Sequence, residues 1–217
     1  MTERQKKLLE IIVKEYVKYS KPISSKNLVK KLSLSSATIR NEMNELEKKG
    51  YLIKPHISGG RIPTEKAYKV YISSLEEVDV PINVCVSDFR EMTKILAELS
   101  GGFAFGGIRQ DFHQSGFSNL LKEAEHDEDF SIETRKIMEE FENHFDELFE
   151  DISDNQTRVF IGKESPFKKT KKISLIVSGC NTPEQGLIGL LGPMRMKYDY
   201  NISLINKLKQ LIEQDYE

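Results

Sequence analysis

Its 217 residues, 38% hydrophobic and 30% charged, hold no run of about 18 apolar residues and no metal-type spacing of the two cysteines, Cys85 and Cys180, which excludes a membrane-spanning helix and a cysteine-ligated metal. The opening Met1-Thr2-Glu3-Arg4 runs straight into an amphipathic segment without an export signal, as in a cytoplasmic chain with reduced thiols and room for one large domain or two small ones. The net charge of −2 divides unevenly: residues 1–73 carry 16 Lys/Arg against 7 Asp/Glu, net +9, and residues 74–217 carry 16 against 27, net −11, the pattern of a nucleic-acid-binding head on an acidic body.

Leu8, Leu9, Ile11, Ile12, Val13, Tyr16 and Val17 recur at helical spacing behind a capping Thr2, which predicts a helix over 3–19. Lys21-Pro22 breaks it. Ser24 or Ser25 can cap a second helix over about 25–32, and Ser35 or Ser36 a third over about 36–49 that Gly50 ends. Tyr51 to Pro55 reads as a short strand, His56-Ile57-Ser58-Gly59-Gly60 as a tip, and Arg61-Ile62 as the start of the return strand. Pro63-Thr64-Glu65 then opens another helix. Three helices with a glycine-tipped wing make a winged helix-turn-helix.

In that fold the second helix of the pair offers its N-terminal residues to base edges in the major groove. Those residues are Ser36, Ala37, Thr38, Arg40 and Asn41. A guanidinium bonds guanine O6 and N7 together, and an asparagine amide does the same to adenine. Ser25, Lys26 and Lys30 on the preceding helix are placed for phosphate, as are Lys54, His56, Ser58, Arg61, Thr64 and Lys66 around the wing. Ser24 and Ser35 fit equally as plain caps, Arg40 and Asn41 as solvated helix positions, and His56 as an ordinary loop histidine.

Residues 74–87 read as a linker, with acidic Glu76-Glu77-Val78-Asp79 before Val80-Pro81. A helix follows over 88–99 with Phe89, Met92, Ile95, Leu96 and Leu99 on one face, ended by Gly101-Gly102. Phe103-Ala104-Phe105 and Ile108 to Phe112 are expected as strands joined by Gly106-Gly107. These glycines match no phosphate-loop pattern. A short helix over 118–123, a solvated acidic loop over 123–129 and a long helix over 132–151 capped by Ser131 come next. Phe141, Phe145 and Phe149 on that helix are core or an exposed dimer surface. Strands over 157–162, 172–179 and 186–192 and a helix over 199–215 complete an α+β body. His113, His126 and His144 have no paired-ligand spacing, and no GxSxG elbow occurs, so neither an enzyme nor a cofactor is expected.

The run Ser35-Ser36-Ala37-Thr38-Ile39-Arg40-Asn41-Glu42-Met43, with Gly50-Tyr51-Leu52, Pro55-His56 and Ser58-Gly59-Gly60-Arg61-Ile62-Pro63-Thr64, resembles the HrcA family of heat-inducible transcription repressors. Arg158 to Glu164 and Gly189 to Tyr198 resemble two stretches of the family's second domain. The resemblance implies a homodimer that binds double-stranded, inverted-repeat operator DNA upstream of chaperone genes, represses them, and is assisted by the chaperonin GroEL. It also implies a GAF-like second domain with a dimerising insert. Family members are longer, and the part lacking here falls between about residues 76 and 157. The expected fold is therefore α+β: a winged helix-turn-helix over 1–73, a linker over 74–87, and a shortened GAF-like regulatory and dimerisation domain over 88–217. Two other functions fit the same elements: a winged helix that binds protein, and a ligand sensor controlling the winged head.

Overall fold

The structure, a computed structural model, describes residues 1–55, 60–82, 84–125, 127–152, 155–167 and 170–216, side chains excepted at 140, 142–144 and 146. It comprises two compact units, Met1–Leu75 and Glu76–Glu217.

In the first unit, α1 (Glu3–Tyr19) starts at a capping box. Thr2 Oγ1 accepts from the Gln5 amide at 3.2 Å, and the Thr2 amide donates to Gln5 Oε1 at 3.3 Å. This satisfies two donors that a first helical turn leaves open. Leu8, Leu9, Ile12 and Val13 share one face and are buried. They meet Leu28 of α2 (Ser25–Leu32) and Ile39, Met43 and Leu46 of α3 (Ser36–Lys48) in the unit's core. Ser35 is the serine that caps α3, accepting from the Thr38 amide at 3.1 Å. At α2, Ser24 holds the N-cap position without a side-chain cap bond. Gly50, with φ +76°, turns the chain out of α3, a conformation that costs glycine little.

The wing is narrower than the sequence suggests, and it has a third anchor. Strand β1 (Leu52–Ile53) pairs antiparallel with β2 (Ile62–Pro63). Ile23 then exchanges two 2.9 Å backbone hydrogen bonds with Arg61. A one-residue bridge leaves no periodic trace, so Ile23 reads in the sequence only as the residue after a breaker. Helix α4 (Glu65–Ile72) is capped by Thr64, and Pro63 closes β2 instead of entering the helix.

In the second unit, α5 (Phe89–Ser100) leads into β3 (Phe103–Ile108) and β4 (Asp111–Ser115). Helices α6 (Phe117–Ala124) and α7 (Glu128–Asp151) follow, then β5 (Arg158–Ile161), β6 (Ile173–Cys180), β7 (Gly186–Pro193) and α8 (Tyr198–Asp215). The strands form one antiparallel sheet in the order β4-β3-β7-β6-β5. Side chains alternate across it. Phe103, Phe105, Leu175, Val177 and Leu191 pack with Phe141, Phe145 and Phe149 of α7. The opposite face carries α5 and α8, where Tyr198 Oη donates to Ser174 Oγ at 2.9 Å. With both faces covered, β6 is buried along its whole length.

Three expectations about this unit fail. Gly106 and Gly107 lie inside β3, and the hairpin turns at Arg109 and Gln110. The glycines serve close approach: a Cβ on Gly106 would lie 2.9 Å from the Leu187 carbonyl oxygen, and one on Gly107 would lie 2.1 Å from that of Asp111. Residues 128–129 are not loop but the first turn of α7, and its cap is Asp127, not Ser131. Asp127 accepts from the Phe130 amide at 3.1 Å and binds Lys172 Nζ at 2.7 Å. Burial pushes its carboxyl up, but the Lys172 bond and the Phe130 amide outweigh that and hold it below the usual range. The α7 phenylalanines are core: Phe141 and Phe145 are each 3% exposed.

Candidate nucleic-acid interface

Helix α3 is held by its buried face and its cap, which leaves its outer face to solvent. Ala37, Arg40 and Asn41 are exposed there, and Ser36 and Thr38 are half-buried. The Ser35 cap fixes the first turn, with Ser35 Oγ and Thr38 Oγ1 2.9 Å apart. Ser25, 7% exposed, lies with its Oγ 2.9 Å from Ser36 Oγ. It therefore ties the starts of α2 and α3 together and offers little surface of its own. Lys26 and Lys30 are exposed on α2, and Lys54 just past β1.

Three of these groups share one hollow. Lys26, Arg40 and Lys54 line it with Ser24, Asn44 and Gly60. Arg40, Asn41, Lys26, Lys30 and Lys54 make no side-chain hydrogen bond or ion pair with another described residue. Other cations of the unit are engaged: Arg4 pairs with Glu42, and Lys31 reaches Glu15 at 2.5 Å. Farther along α3, Lys48 reaches Glu45 at 2.9 Å. Exposed cations thus gather about the N-terminal half of α3, where the helix dipole adds to them.

Around the wing, three of the sequence candidates are bound to protein. The Arg61 side chain is only 10% exposed, with Nε 3.0 Å from Glu47 and Nη2 donating to Asn44 Oδ1 at 2.5 Å. Thr64 caps α4, and its hydroxyl donates to the Gly50 carbonyl at 2.8 Å. Lys66 donates to the Lys49 carbonyl at 3.0 Å and sits 4.3 Å from the Tyr51 ring centroid. His56 and Ser58 lie outside the described residues. Asn44 and Pro22 were missed in the sequence. Asn44 follows Arg40 by four residues, so it shares that helix face. Pro22 packs where a Cβ on Gly60 would come within 2.8 Å of it.

The second unit also has a hollow, at one end of its sheet, lined by Asp88, Arg90, Asp111, His113 and Glu184. Cys180 is buried, and burial foremost pushes its thiol up to about 12, so it is no nucleophile at neutral pH. Among the described residues, no three His, Cys, Asp or Glu side chains are grouped to hold a metal. Among the described residues, no helix is long and apolar enough to cross a membrane.

Comparison with known proteins bears on both units. A family model described as the winged helix-turn-helix transcription repressor, HrcA DNA-binding, matches residues 1–76. A second, the HrcA protein C terminal domain, matches residues 43–202. The heat-inducible transcription repressor HrcA of Clostridioides difficile (strain 630) is 38% identical over 125 residues, 57% of this chain and 34% of that protein. Its counterpart in Geobacter sulfurreducens is 47% identical over 77 residues, 35% of this chain and 22% of that protein. The chain thus spans about a third of the length of the first relative and about a fifth of the second. A crystal structure of a hypothetical protein at 2.2 Å superposes with a TM-score of 0.80 at 20% identity, covering 100% of this chain and 97% of that one. At that identity the likeness shows the fold alone.

Proposed function

The chain belongs to the HrcA family, and on that premise we propose that it is a sequence-specific repressor of heat-shock genes that binds an inverted-repeat operator as a dimer. The observation that carries this is the set of exposed cations, Lys26, Arg40 and Lys54, that line one hollow beside the N-terminal half of α3. In a docked complex that end of α3 enters the major groove, and the two copies in a dimer sit roughly 34 Å apart, one turn of duplex. Arg40 reads guanine and Asn41 adenine through paired hydrogen bonds, while Ala37 and Thr38 meet a thymine methyl. Lys26, Lys30 and Lys54 hold backbone phosphate and set the register. Repression is steric: the bound dimer occupies promoter DNA. Heating the second unit out of its fold, or losing help from the chaperonin GroEL, releases it.

A salt titration tests this. With three lysines per protomer on phosphate, the logarithm of the affinity should fall against that of the salt concentration with a slope of about −5 for a dimer. A slope near zero, or no retention on duplex at low salt, points to a winged helix that binds protein.

A further inference from the structure

We infer that Arg61 is a positioning residue: clamped between Glu47 and Asn44, it sets the wing against the recognition helix and so aligns Arg40 and Lys54 on one duplex. The inference rests on the DNA-binding function proposed above. Its own basis is the path of contacts from wing to helix. Arg61 belongs to the wing by its backbone, through the Ile23 bridge. It belongs to α3 by its side chain, through the 3.0 Å contact to Glu47 and the 2.5 Å bond to Asn44. Asn44 stands one helical turn beyond Arg40, on the same face, so the clamp closes beside the group that reads bases. Asn44 also lines the hollow that Arg40 and Lys54 share. The β1–β2 pairing is two residues long and cannot by itself fix the wing's angle. A Cβ at Gly60 would strike Pro22 at 2.8 Å, so the residue just before Arg61 is also seated against the chain leading into α2.

A clamp and a phosphate contact make opposite predictions. If Arg61 simply met phosphate, a lysine would replace it adequately, because an ammonium still neutralises the charge. A lysine cannot reproduce the planar fork that reaches two acceptors at once. If Glu47 were a bystander, its removal would strengthen DNA binding by deleting a negative charge near the duplex. If it holds the clamp, its removal weakens selective binding.

The experiment uses the full chain. The wild type first enriches a duplex from a randomised library, and affinity for that duplex is compared with affinity for a scrambled one. R61K and E47A should each lower the selective-to-scrambled ratio about tenfold, within the range that separates specific from non-specific binding, and leave the salt slope on scrambled duplex unchanged. R61A with E47A should cost no more than either alone, the mark of one shared interaction. E47Q, which keeps an acceptor oxygen, should recover most of the ratio. That variant distinguishes a lost clamp from a lost fold, as does a thermal melt of each protein. The inference is overturned if R61K matches wild type, if E47A preserves or raises the ratio, or if the costs of R61A and E47A add. If the wild type enriches no duplex, the DNA-binding function itself fails and the clamp's role in it falls too.

Discussion

Replacing Phe105 with alanine should lower the stability of the chain by about 3–5 kcal/mol, the usual cost of deleting a fully enclosed phenylalanine. Phe105 is 0% exposed, and its ring centroid lies 5.0 Å from that of Phe141 and 6.1 Å from that of Phe145. The sheet is built around it: a Cβ on Gly189 of the neighbouring strand would sit 2.2 Å from the ring's Cζ. No neighbouring side chain can fill the void, because β3 lies between β4 and β7 and cannot shift alone. Urea unfolding followed by circular dichroism measures the loss. Phe117, which is 46% exposed, is the control, and its alanine variant should change stability far less. The same variant tests the proposed release on heating. For a unit of this size a loss of 3–4 kcal/mol should move the temperature of operator release down by roughly 10 °C. Release at an unchanged temperature, with the stability loss in place, would separate repression from the fold of the second unit.

The second large effect is on DNA. Arg40→Ala should weaken binding to the selected duplex by about 1–3 kcal/mol and relax the preference at one base pair, leaving affinity for scrambled duplex nearly unchanged. Arg40 is exposed, carries no partner among the described residues, and stands two positions beyond the Ser35-capped first turn. Lys30→Ala should act differently, with a similar loss on every sequence and a shallower salt slope. Competition binding against duplexes altered one base pair at a time reads both effects. Equal losses of Arg40→Ala on all duplexes would reassign Arg40 to phosphate.

Local signals were the legible ones. Helix ends marked by Thr2, Ser35, Gly50 and Gly101 lie where side-chain caps and glycine conformations require, since each such signal acts within a few residues. The exposed cations Lys26, Lys30 and Arg40 were legible for the same reason: periodicity alone tells which face of a short helix is apolar. Non-local pairing was not. Gly106-Gly107 looks like a turn because glycine favours turns, but these residues are glycine because β4 and β7 approach β3 too closely for a Cβ. Asp127 outcompetes Ser131 as the α7 cap through Lys172, 45 residues away. Arg61 shows the same limit within the candidate site. In sequence it is one more cation on a wing. In the fold its guanidinium is engaged by Glu47 and Asn44, 14 and 17 residues earlier.

Disulfide cross-linking from α3 tests the placement of the recognition helix most directly. Ala37 is exposed in the first turn of α3, so Ala37→Cys puts a thiol at the claimed DNA-facing end. Cys85 is exposed and is replaced by serine, whereas buried Cys180 stays silent. The selected duplex carries a thiol tether either on a cytosine N4, in the major groove, or on a guanine N2, in the minor groove. Rapid cross-linking to the major-groove tether alone is the predicted result. Cross-linking to the minor-groove tether, or to neither while the duplex stays bound, would contradict it.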